Sequence, residues 1–134
     1  NNKTRREILT LASVVESETP HADERNRIAG VYFNRIDKNM KLEADPTVQY
    51  AIGEQRHLLY RDLEVDSPYN TYKYEGLPPG PINSPGIASI EAAIDPEKHD
   101  YLYFVATGDG DHTFSKTFTQ HQKAVELYRL KRKK

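Results

Sequence analysis

Tyr101–Phe118, YLYFVATGDGDHTFSKTF, is the stretch on which the fold class turns. β-Branched and aromatic residues crowd YLYFVAT, GDGD follows at once, and HTFSKTF alternates well enough to return, so the segment predicts a β-hairpin near 101–118. Gly108–Asp111 has a superficial likeness to a calcium loop, but the longer ligand ladder and its closing Glu are missing, which leaves a turn. On either side the pattern is helical. Ile87–Ile94 reads as a short helix ended by Asp95–Pro96, and Thr119–Lys133 as an amphipathic helix with Ala124, Leu127, Tyr128 and Leu130 as its apolar contribution.

Further toward the amino end, Leu58–Gly86 holds five of the eight prolines, all between Pro68 and Pro85. Proline removes backbone donors and fixes φ, so an ordered irregular loop is expected there, and its tyrosines argue against disorder. The first third predicts two helices. Arg6–Glu18 is stopped by Pro20; Ala22–Lys38 carries Ile28, Val31, Tyr32 and Ile36 along one side, with Asp23 or His21 to cap it and Asn39 to close it. A helical turn after Asp45–Pro46, with Asp45 as cap, would carry Val48, Gln49, Tyr50 and Ile52. The sum is an α+β chain: N-terminal helices, an ordered Pro-rich central loop, a hairpin and a C-terminal helix.

At 134 residues a single domain suffices, so 1–134 is read as one catalytic unit. Nineteen basic against twenty acidic side chains leave a formal charge of -1 and no electrostatic footprint for nucleic acid or an anionic membrane. A neutral polymer or a small molecule fits better. The basic run from Arg129 to Lys134 reads as the last turn of a helix, where cations favour the negative end of the dipole. With no cysteine, disulfides, thiolate zinc sites and Cys nucleophiles are excluded. The chain starts at Asn1 and contains neither a signal peptide nor a long apolar span, so the expectation is a fragment whose membrane anchor or export signal lies upstream.

Chemistry-bearing motifs are few. His21, His57, His99, His112 and His121 form no HExxH and no i,i+4 pair, so no metal is expected, and GxSxG and P-loop motifs are absent. Ser13 and Ser17 have no His partner and read as polar packing. Glu16 stands out. If Arg6–Glu18 is helical, Leu9, Ala12 and Glu16 fall at i, i+3 and i+7, which turns the acid inward, and desolvation there would raise its pKa and keep a proton available. The plainer reading of Glu16 is a helix-end acid paired with Arg25 or Arg27. Glu18, two positions on, faces elsewhere and makes a poor second carboxylate.

VESET, ADPTVQY, YNTY and GLPPGPINSPG occur in that order, followed by YLYFVA and HTFSKT. Together they resemble the YceG-like family of endolytic murein transglycosylases, from about Leu9 to Tyr128. The resemblance implies a lytic transglycosylase, a lyase that cleaves the β-1,4 bond between N-acetylmuramic acid and N-acetylglucosamine within peptidoglycan strands, with no cofactor. It implies Glu16, the first acid of the motif, as the catalytic residue. Lys often follows that VE, where this chain has Ser17. By similarity to other lytic transglycosylases, Ser17, Gln49, Tyr69 and Asn70 would line the substrate cleft.

The loop chemistry agrees with such a cleft: Gln49 and Asn70 offer amides for acetamido or hydroxyl groups, and Tyr50, Tyr69, Tyr72 and Tyr74 offer faces for sugar rings. His112 and Ser115 could support the site from the hairpin. One carboxylate can suffice in this reaction, because the muramic acid C6 hydroxyl replaces water as nucleophile and the same residue serves as acid and then as base. The alternatives are a muramidase using Glu16 with Asp45 or another carboxylate placed by the fold, and a noncatalytic glycan-binding module. The resemblance further implies a membrane-anchored protein facing the periplasm or cell wall, with peptidoglycan strands as partner and peptidoglycan synthases as neighbours.

Overall fold

A computed structural model describes residues 3–18, 22–109 and 111–132. Helices α1 (Arg5–Glu18), α2 (Ala22–Asp37), α3 (Asp45–Ile52) and α4 (Ile87–Ile94) precede a hairpin of β1 (Tyr103–Ala106) and β2 (His112–Ser115), and α5 (Phe118–Arg132) follows it. A single 3-10 turn, Tyr60–Glu64, interrupts the long loop between α3 and α4. The class is α+β, as expected from the sequence. His21, Pro20, Gly110 and Lys133 lie outside the described residues, so their expected roles as cap, stop, turn and helix end are not part of the fold described here.

The core forms where α1, α2 and α4 meet. Leu11, Val14 and Val15 of α1, Ile28 and Ala29 of α2 and Ala92 and Ala93 of α4 are all completely buried, and the alanines let the helix backbones approach closely. The stripe expected on α2 is the one that is buried, with Val31 at 0% and Tyr32 at 2% exposure. Gly30 lies where α2 meets the segment leading to the hairpin: a Cβ there would stand 2.4 Å from the Glu97 carbonyl, so only glycine fits.

α2 closes as its sequence suggests. Asn39 adopts a left-handed φ of 58°, and the Asn39 and Met40 amides donate back to Ile36 O at 3.1 Å and Arg35 O at 2.8 Å, a Schellman closure. The hairpin pairs antiparallel with Tyr103 opposite Ser115 and Ala106 opposite His112. It meets α2 through the Tyr32 and Phe104 rings, edge to face at 5.8 Å, and through polar contacts. Arg35 donates from Nε to Leu102 O at 2.7 Å, Asn34 donates to His99 O and Tyr101 O, and His99 donates from Nε2 to Arg27 O at 2.9 Å.

Two local expectations are corrected. Asp45 is not the cap of α3: Ala44 holds that position, and Asp45 is the first helical residue, its carboxylate turned aside to accept the Tyr72 hydroxyl. On α5 the apolar face is only half used, because a two-stranded hairpin is too narrow to cover it, and Leu127 and Leu130 remain 64% and 58% exposed.

Candidate active site

The end of α1 points one carboxyl into a cavity of about 260 Å³, and that carboxyl belongs to Glu18. Tyr32 from α2, Asp45 from α3, Tyr72 from the loop, Phe104 from β1 and His121 from α5 surround it. Burial is the largest influence on Glu18 and the neighbouring Asp45 charge acts in the same direction; together they push its carboxyl up to about 8 against a hydrogen bond from Tyr32. The Tyr32 and Tyr72 phenols are also raised, each chiefly by burial. His121 is lowered by burial and by Arg35. Glu18 is therefore a carboxyl that holds its proton at neutral pH, inside a concave site open to solvent on one side.

Glu16 has the opposite environment, which corrects the expectation of an inward, proton-holding acid at that position. Its Oε1 accepts the Gly86 amide and the Ser89 hydroxyl, both at 2.9 Å, at the N-terminal end of α4. Those donors, led by the Gly86 amide, hold its carboxyl below the usual Glu range, with a smaller contribution from Arg25. The residue is a carboxylate clamp between α1 and α4. No ion pair to Arg25 or Arg27 takes this place, and Arg27 pairs with Glu97 at 3.0 Å.

The same edge of α1 fastens the Pro-rich loop. Ser13 Oγ accepts the Ile82 amide at 3.0 Å, Asn83 donates to Ser13 O at 2.9 Å and to Ser17 Oγ at 2.8 Å, and Arg6 donates to Pro79 O at 2.7 Å. Ser13 is thus the polar packing residue its sequence context suggested. Ser17 is exposed and lies with Gln49, Tyr50 and Asn83 in a larger concavity of about 530 Å³. The Gln49 amide donates to Arg56 O at 3.0 Å, and the Tyr50 ring lies tilted at 45° against Tyr69 with centroids 4.8 Å apart.

Asn70 is completely buried. Its amide nitrogen donates to Leu63 O and Val65 O and its oxygen accepts the Tyr72 amide, each at 2.9 Å, so it presents no surface to a sugar and instead shapes the loop that carries Tyr72. Tyr72 does face the site: its hydroxyl donates to Asp45 at 2.6 Å, and both residues also border a third concavity of about 360 Å³ with His57, Leu59 and Tyr60. His112 does not line the Glu18 cavity. It is bonded through Nδ1 to Glu24 at 2.7 Å and ties the hairpin to α2.

Glu18 was signalled by a periodicity that the sequence reading set in the wrong phase. Leu11, Val14 and Val15 are the buried face of α1, and Glu18 follows them at i+7, i+4 and i+3. Leu9, from which Glu16 was phased, is only partly buried. Among the described residues no three His, Asp or Glu side chains are grouped to hold a metal ion, and no helix is long and apolar enough to cross a membrane.

Comparison with known proteins adds a family. Residues 1–127 match the family model described as the YceG-like family. A protein of Bacillus subtilis named endolytic murein transglycosylase is 52% identical over 122 residues, which cover 90% of this chain and 34% of that protein. A protein of the same name from Streptococcus pneumoniae is 44% identical over 111 residues, covering 78% of this chain and 20% of its own length. Among solved structures, a YceG-like protein from Listeria monocytogenes superposes with a TM-score of 0.83 at 52% identity, over 88% of this chain and 38% of that one. The chain thus spans 34% and 20% of the lengths of these two named relatives.

Proposed function

The chain belongs to the YceG-like family, and on that premise we propose that it carries the cleavage chemistry of a lytic transglycosylase acting inside peptidoglycan strands, with Glu18 as its acid and base. One observation carries the reading: the Glu18 carboxyl lies in a concave site, pushed up to about 8 by burial and by Asp45. Glu18 would protonate the oxygen of the β-1,4 bond, releasing the N-acetylglucosamine hydroxyl. As a carboxylate it would then take the proton from the muramic acid C6 hydroxyl while that oxygen closes on the anomeric carbon. Proton and bond counts balance without water, and the product ends in a 1,6-anhydro ring.

The remaining predicted site residues enter as binding groups. Tyr72 borders the acid's cavity, while Ser17, Gln49 and Tyr50 line the concavity on the far side of Pro46, so a strand lying across the start of α3 would meet both. Asn70 and Tyr69 act from behind, through the loop. The protein would work in the cell envelope, on peptidoglycan, and any anchor or synthase contact would belong to other parts of a longer protein.

The experiment is mass spectrometry of digested peptidoglycan with the wild-type chain, Glu18→Gln and Glu16→Gln. Glu18→Gln is expected to lose about 10²- to 10⁴-fold in rate, while Glu16→Gln keeps forming anhydro ends. Chemistry centred on Glu16 would give the reverse. A second reading has a specific observation in its favour, since Glu18 and Asp45 share one cavity as a hydrolase's two carboxylates do. A reducing muramic acid end in place of the anhydro end would establish it. Unchanged function in Glu18→Gln would instead fit a noncatalytic glycan-binding module.

A further inference from the structure

Asp45 stands on the ridge between the Glu18 cavity and the concavity bordered by His57 and Tyr60. As the first residue of α3 it could have been spent on capping. It is not, and its Oδ1 accepts the Tyr72 hydroxyl at 2.6 Å instead. The residues beside this pair are locked together in the core: Thr71 Oγ1 accepts the Ala44 amide at 2.9 Å and shares a 2.8 Å hydrogen bond with Thr47 Oγ1. Thr47 and Thr71 are at most 1% exposed. Asp45 and Tyr72, each one position along from that weld, are thereby fixed in register at the mouth of the cavity.

We propose that Asp45, held by Tyr72, is a positioning residue for the reaction proposed above: its negative charge, facing Glu18 across the cavity, keeps the proton on Glu18 until a glycosidic oxygen takes it. The proposal rests on Glu18 being the acid. The other groups facing Glu18 do not supply this effect. From α2, the Tyr32 hydroxyl bonds the Glu18 carboxylate and favours its charged form, while Arg35 is committed to the carbonyls of Leu102 and Lys41 at 2.7 Å each. Glu43 lies half exposed at the rim, 3.8 Å from Arg35, which offsets its charge. The Tyr72 phenol is raised, chiefly by burial, which favours its neutral form. His121, from α5, is shifted toward its neutral form, first by burial and then by the Arg35 charge. Among the described residues Asp45 is thus the carboxylate lining this cavity that forms no ion pair, and a like charge raises a carboxyl's hold on its proton.

The test is a side-chain carbon-13 NMR titration of Glu18 in the chain, together with the pH profile of peptidoglycan cleavage. Asp45→Asn and Asp45→Ser both suit the start of a helix and remove the charge. In each, the Glu18 midpoint is expected to fall by about one pH unit or more, and the basic limb of the cleavage profile to move with it at unchanged KM. A midpoint indifferent to both substitutions, in folded variants of a chain that cleaves, overturns the proposal. A wild-type chain that leaves peptidoglycan intact while the midpoint still follows Asp45 overturns the catalytic reading instead, and the two failures are thereby distinguishable.

Discussion

Glu16 and Glu18 sit two positions apart on α1, about 200° around the helix, and their surroundings push them in opposite directions. Each direction has its own consequence for stability. Glu18 binds its proton more tightly in the folded chain than its ordinary value near 4.5 allows in the unfolded one, so the folded state holds the extra proton between that value and about 8. Stability from this group is greatest on the acid side and declines as pH rises through that window. Glu16 is lowered by its Gly86 and Ser89 donors, so its contribution is present above its unfolded value and is lost as pH falls. Urea midpoints across pH should therefore show Glu18→Gln flattening the decline on the basic side, while Glu16→Ala loses about 1–3 kcal/mol at neutral pH and has less to lose in acid. Exchanged behaviour of the two variants would reverse the environments assigned to them. Which acid faced inward was not legible from residue types alone, since Leu9–Ala12–Glu16 and Leu11–Val14–Glu18 are equally good helical stripes. The choice was made by tertiary contact with α2 and α4, which buries the second.

At the scale of elements, local chemistry was readable wherever one residue's conformation was decisive. Ile87–Ile94 is helical with the expected bounds, the hairpin lies within 101–118, and Asn39 closes α2 through its left-handed φ. The Pro-rich loop was recognisable as ordered, but what orders it was not, because its partners are distant in sequence: Arg6, Ser13 and Glu16 on α1 hold its second half, and Asn70 holds its first. Asn70 was expected to touch sugar because an exposed loop amide would do so; a fully buried one instead replaces backbone partners that an irregular loop lacks. Replacing it with Ala takes the partner from the Leu63 carbonyl and the Tyr72 amide, while the Val65 carbonyl keeps the Ser67 amide at 3.1 Å. The expected cost is about 1–3 kcal/mol for each group left unsatisfied, read as a large fall in melting temperature, with greater mobility of Tyr72 in proton-exchange measurements. A melting temperature equal to wild type would mean that water or neighbouring groups satisfy the loop as well as Asn70 does.

For the molecule as a whole, three concavities of the described residues converge on the N-terminal end of α3, apart from another between the hairpin and α5: the Glu18 cavity and the one beside His57 share Asp45 and Tyr72, and the Ser17–Gln49 hollow begins at the next residue, Pro46. A single pocket would suit a chain end. Hollows on both sides of the acid suit a polymer that passes through, which is what cleavage within a strand requires. Tyr60, at the rim of the His57 hollow, is 92% exposed, where no core packing accounts for an aromatic ring, and a ring so placed can cover the apolar face of a sugar. If the strand runs through that hollow, Tyr60→Ala should raise KM for long glycan strands by about three- to tenfold, the equivalent of roughly 0.7–1.4 kcal/mol of lost contact. It should leave kcat and the Glu18 titration unchanged, because the ring borders the His57 hollow and does not line the Glu18 cavity. Kinetics on strands of graded length check this. An unaltered KM on the longest strands would remove the His57 side from the glycan path and leave the strand running only between Glu18 and the Ser17–Gln49 hollow.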